Sequence, residues 1–88
     1  MNSTNKARIH WACYRGMREL DLLIIPFFND NFHLLNKRDK RLFSELLENN
    51  DPDLFSWLMN YKQPDDARFK RIISIIRDSN KKRDFSRL

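Results

Sequence analysis

One glycine, three prolines and an abundance of Leu, Ile, Lys, Arg and Glu mark this chain of 88 residues as helical. Apolar spacing agrees. No segment alternates with period two, whereas several repeat at i, i+3, i+4 and i+7. The expected fold is all-α, a compact single-domain bundle of about five short helices over residues 1–78, followed by a basic tail at 79–88.

The first helix is expected from Thr4 to Arg15, capped by Ser3 or Thr4, with Ile9, Ala12 and Cys13 inward. A second starts near Met17 and carries Leu20, Leu23, Ile24, Phe27 and Phe28 as a buried stripe. Pro26 interrupts that stripe and deprives the Leu22 carbonyl of its usual donor. The segment is therefore a kinked helix or a strand and turn, and the missing strand partner favours the kink. A third helix begins at Asn36, whose side chain can accept from the Asp39 amide, and closes at Asn49-Asn50. Asp51 is read as the cap of a fourth with Pro52 at its first position, and Asp65 or Asp66 starts the fifth. The predicted core comprises Leu20, Ile24, Phe27, Phe43, Leu46, Leu54, Leu58, Phe69, Ile72 and Ile76. Trp57, Met17 and Met59 are read as further core residues.

Composition excludes several functions. A lone cysteine, Cys13, forms no intramolecular disulfide and suits a reducing compartment. The longest apolar run, Leu22 to Phe28, is too short for a membrane span, and the first residues resemble neither a secretion signal nor a presequence, so the expectation is a cytoplasmic chain without membrane insertion. His10 and Cys13 lie one helical turn apart, but two ligands make no metal site, and His33 stands alone. A single glycine builds no phosphate loop, so no cofactor-binding residues are identified and no cofactor of the chain's own is expected.

Gly16 is the one position with a clear local demand. It lies in Arg15-Gly16-Met17-Arg18-Glu19, between two amphipathic stretches, where a helix would end at positive φ and the chain reverse. Packing alone does not require glycine, two guanidinium groups and a carboxylate within five residues, so the turn reads as a recognition corner. On a helical wheel at roughly 100° per residue, Arg8, Trp11 and Arg15 form one stripe running into it. An aromatic flanked by arginines resembles an interface anchor, the alternative being that Trp11 completes the core. Arg15 and Glu19 are expected on an exposed corner, where substitution leaves the fold intact.

These residues also carry a resemblance. Ala7-Arg8-Ile9-His10-Trp11-Ala12-Cys13 leading into Arg15-Gly16-Met17-Arg18-Glu19-Leu20-Asp21, with Asp51-Pro52-Asp53-Leu54-Phe55-Ser56-Trp57-Leu58-Met59-Asn60 downstream, is similar to the succinate dehydrogenase flavinylation factors, small helical proteins with an Arg-Gly-x-x-Glu motif. The resemblance implies a bacterial assembly chaperone, not an enzyme, that binds the flavoprotein subunit of succinate dehydrogenase, and extends to that of fumarate reductase. Its implied action is to promote covalent FAD attachment by holding the client in a flavinylation-competent conformation. FAD is then the client's cofactor. Arg15, Gly16 and Glu19 are the implied motif positions, and Arg8, Trp11, Met17 and Arg18 complete the candidate client-binding set.

The formal charge of +5 also admits a small regulatory protein, either nucleic-acid-binding or antitoxin-like. Against nucleic acid, the basic residues do not gather on one recognition helix, and the corner contains a glutamate that phosphate would repel. An antitoxin-like role shares the physics of a binding module, and the sequence does not separate the two.

Overall fold

Asparagine starts three of the helices in the computed structural model, which describes residues 5–82. The side-chain oxygen of Asn5 caps α1 (Lys6–Ala12) by accepting from the Arg8 amide at 3.2 Å. Asn36 does the same for α3 (Lys37–Leu46) through the Asp39 amide at 2.8 Å, and Asn50 for α4 (Asp51–Leu58) through the Asp53 amide at 3.0 Å. Each cap satisfies an amide that the first helical turn leaves without a partner. The two 14-residue helices, α2 (Arg18–Asn31) and α5 (Arg68–Lys81), have no side-chain bond from their cap residues and draw their stability from packing. A 3₁₀ turn over Phe32–Leu34 continues from α2.

Several boundaries differ from the sequence reading. The first helix ends at Ala12, three residues short of Arg15, and its cap is Asn5; the expected caps Ser3 and Thr4 lie outside the described residues. Asn50 caps α4 in place of Asp51, which is freed for an ion pair described below. Asp66 acts two residues ahead of α5, its carboxylate accepting from the Arg68 amide at 3.0 Å. That last helix continues past Asp78 to Lys81, and residues 83–88 of the expected tail are outside the described residues. Helix α2 runs through Pro26 without a break, and among the described residues there is no strand.

α2 packs against α4, α5 and the 3₁₀ turn, and α5 also packs against α3 and α4. Every residue of the predicted core is buried, joined by Ile9, Cys13, Phe28, Phe32 and Trp57. Phe27, Phe28, Phe32 and Phe43 form an aromatic cluster with ring centroids 4.8–6.4 Å apart. Met17 packs partly against the core, but Met59 is exposed, because α4 stops at Leu58 and Asn60 at φ +61° turns the chain outward. Among the described residues one charge is buried with these apolar groups: Asp39, 3% exposed, accepts from Nε and Nη2 of Arg71 at 3.1 Å each and so ties α3 to α5. The same pairing raises the Arg71 pKa. No described helix is long and apolar enough to cross a membrane.

Candidate functional site

The turn between α1 and α2 is shaped by a glycine and clamped from both sides. Gly16 has φ +85°, the left-handed conformation expected of it. Asp21, in the first turn of α2, reaches back and accepts from the Arg15 amide at 2.8 Å and the Gly16 amide at 3.3 Å. Sequence reasoning gave Asp21 no role. The available signal was a carboxylate five residues after a turn glycine, close enough to bond the turn's free amides.

Arg15 holds the other side. Its Nε pairs with Asp51 at 2.8 Å, and its terminal nitrogens donate to the carbonyls of Ala12 at 3.1 Å, Leu47 at 2.7 Å and Asn49 at 2.7 Å. The side chain is only 15% exposed. This corrects the expectation that Arg15 lies on an exposed corner without consequence for the fold. Its planar fork spans the last turn of α1 and the α3–α4 linker, a geometry that needs several fixed donors at once. The helix cannot extend to Arg15 because the chain leaves α1 to make these bonds, so the stripe of Arg8, Trp11 and Arg15 does not form as drawn on a wheel.

The remaining predicted residues face outward. Trp11 is 81% exposed, which settles it as a surface residue rather than a core one, and Tyr14 beside it is also exposed. Arg8, Arg18 and Glu19 are exposed, and Met17 is half-buried at the start of α2. Glu19 sits in the first turn of α2, where the helix dipole favours a carboxylate. Beneath them Cys13 is fully buried, its thiol donating to the Ile9 carbonyl at 3.3 Å. Burial pushes its pKa up to about 12, with Asp21 adding to the rise and Arg15 opposing it. The thiol therefore stays protonated at neutral pH and offers no nucleophile. His10 stacks on Phe28 with centroids 4.8 Å apart and planes 2° from parallel, so it is occupied in packing and separated in role from Cys13. The site is thus an outward-facing aromatic and charged surface on a fixed turn, suited to binding a macromolecule.

A side chain at position 16 would meet nothing within 4 Å, so Gly16→Ala should cost only the backbone strain of a positive φ, about 1 kcal/mol. Urea denaturation followed by circular dichroism measures it. An alanine variant as stable as the parent would show that the turn relaxes to negative φ. Since the added group projects into open space, larger residues at this position should obstruct an approaching partner progressively.

Comparison with known proteins matches the chain to a family. A family model described as Sdh5, flavinator of succinate dehydrogenase, covers residues 7–80. The chain is similar to proteins named FAD assembly factor SdhE from Pectobacterium atrosepticum, 57% identical, from Photorhabdus laumondii, 55% identical, and from a Serratia species, 53% identical. Each similarity spans 83 residues and 94% of both chains. With the match covering the α1–α2 turn and all but the outermost residues of α1 and α5, the chain belongs to the family of succinate dehydrogenase flavinators.

Proposed function

We propose that this chain promotes covalent attachment of FAD to the flavoprotein subunit of succinate dehydrogenase by docking its α1–α2 corner on that subunit. The observation that carries the reading is a rigid turn, held by Asp21 and Arg15, from which Trp11, Arg18 and Glu19 project into solvent on a chain of this family. Trp11 supplies a broad apolar contact, Arg8 and Arg18 supply cations, and Glu19 pairs with a cation of the client. Arg15 serves as a positioning residue, acting through the shape of the turn.

The chain acts as a chaperone. In flavinylation a client histidine bonds to the flavin ring, and client and cofactor supply the reacting groups. Binding energy from the corner would hold the client where histidine and flavin meet, a proximity effect. The protonated, buried Cys13 and the stacked His10 support a non-catalytic role, and FAD remains the client's cofactor. The fumarate reductase flavoprotein is the second client proposed, and the cytoplasm is the compartment in which the client is met.

Reconstitution tests this reading. Purified apo-flavoprotein and FAD, incubated with and without the chain, should differ in covalent flavin detected by in-gel fluorescence, with the chain raising its yield. Equal yields with either client would refute the proposed action, and a stoichiometric complex of the chain alone with FAD would contradict the assignment of the cofactor to the client.

A further inference from the structure

Away from the corner, α2, α4 and α5 enclose a shallow groove lined by Leu23, Leu58, Met59, Arg77, Asn80 and Lys81. Leu23, Leu58 and Met59 make its apolar wall, with Met59 held at the surface by the left-handed turn at Asn60. Arg77 is half-buried, yet among the described residues neither its guanidinium nor the Lys81 ammonium has an acidic partner, and no carboxylate lines the groove. The other two arginines of α5 are paired: Arg68 with Asp66 and Glu45, and Arg71 with Asp39.

Asn80 adds an independent observation. It is 7% exposed, and its Nδ2 donates to the Leu23 carbonyl at 3.1 Å, which fixes the orientation of the amide. Its Oδ1 is then left buried with no donor among the described residues. Buried acceptors are satisfied in nearly all folded proteins, so this one is an exception beside the groove.

We propose that this groove is a second docking site for the client flavoprotein, taking a segment in which a carboxylate side chain stands beside an apolar one. The carboxylate would lie between Arg77 and Lys81, and the apolar side chain against Leu23, Leu58 and Met59. Charge complementarity selects this occupant: two cations without an acidic partner among the described residues call for an anion, and the apolar wall calls for a ligand that is not anionic throughout. A nucleic acid would leave that wall in water. The proposal rests on the reading that the flavoprotein is the client, but on residues separate from the corner.

Isothermal titration of the full chain with apo-flavoprotein subunit tests it, using Arg77→Gln and Arg77→Lys. Because Arg77 has no side-chain partner among the described residues, both variants should melt with the parent. Arg77→Gln should bind about tenfold more weakly, with a shallower salt dependence, while Arg77→Lys stays within about threefold. The Arg77→Gln loss should add to that of Glu19→Ala, as expected of independent sites. Binding by Arg77→Gln equal to the parent would overturn the groove and leave the corner standing. Failure of the parent itself to bind the flavoprotein would overturn the functional reading and the groove with it. Displacement of the flavoprotein by a short random RNA in an Arg77-dependent manner would assign the groove to nucleic acid and likewise overturn the proposal.

Discussion

Arg15→Ala is expected to destabilise the bundle by about 3 kcal/mol, because it removes an ion pair and three carbonyl contacts in one step. The acceptors left behind belong to three segments: the end of α1, the α3–α4 linker and the first residue of α4. Water can reach some of them once the side chain is gone, which keeps the loss below the sum of four separate bonds. Against a total stability of about 5–15 kcal/mol for a small domain, the loss is large, and it should lower the melting temperature by about 10–20 °C. Arg15→Lys should recover only part of it, since an ammonium cannot donate in the plane to Asp51, Leu47 and Asn49 together. Urea unfolding of the two variants decides the matter; an alanine variant within about 0.5 kcal/mol of the parent would show that the network contributes nothing net.

Glu19→Ala should behave in the opposite way. The carboxylate is exposed and has no side-chain partner among the described residues, so its removal costs the fold no more than its interaction with the start of α2, about 0.3–1 kcal/mol. Binding to the flavoprotein should weaken by about 2 kcal/mol or more, roughly thirtyfold, because docking desolvates the pair that Glu19 makes and truncation leaves the client's cation alone. Covalent flavin on the succinate dehydrogenase flavoprotein, read by in-gel fluorescence in cells lacking their own factor and expressing each variant at matched level, separates the two effects. Lowering the temperature should restore flavin attachment by Arg15→Ala as the bundle refolds, and should not restore that of Glu19→Ala. Full attachment by the Glu19 variant at every temperature would mean that the client meets another surface.

The helices and core were legible because both depend on spacing within one segment. Leu20, Ile24 and Phe27 lie on one face of α2 whatever the rest of the chain does, and the same holds for Phe69, Ile72 and Ile76 on α5. What escaped was decided over distance. Arg15 continues the pattern of α1 by wheel geometry, but three of its four side-chain partners lie 32 to 36 residues away, and those contacts end the helix early. Asn50 and Asp51 are both good caps, so local preference could not choose between them; Arg15 engages the carboxylate and leaves the cap to the amide. Met59 fits the inward stripe of α4 until the left-handed turn at Asn60 carries it out. The corner was visible from its lone glycine, while the division of labour within it, with Arg15 inward and Glu19 outward, depended on residues that the motif does not contain.

The double clamp on the α1–α2 turn bears on how tightly so small a protein can hold a partner. A loop that orders only on contact gives up conformational entropy at that moment, and the loss is subtracted from the affinity. Here Asp21 fixes the turn's amides and Arg15 fixes the segments on either side before any partner arrives. The ordering cost is met during folding, so in the proposed docking nearly all the contact energy of an exposed Trp11 and Glu19 would be available to reshape the bound protein rather than to organise the protein that binds it.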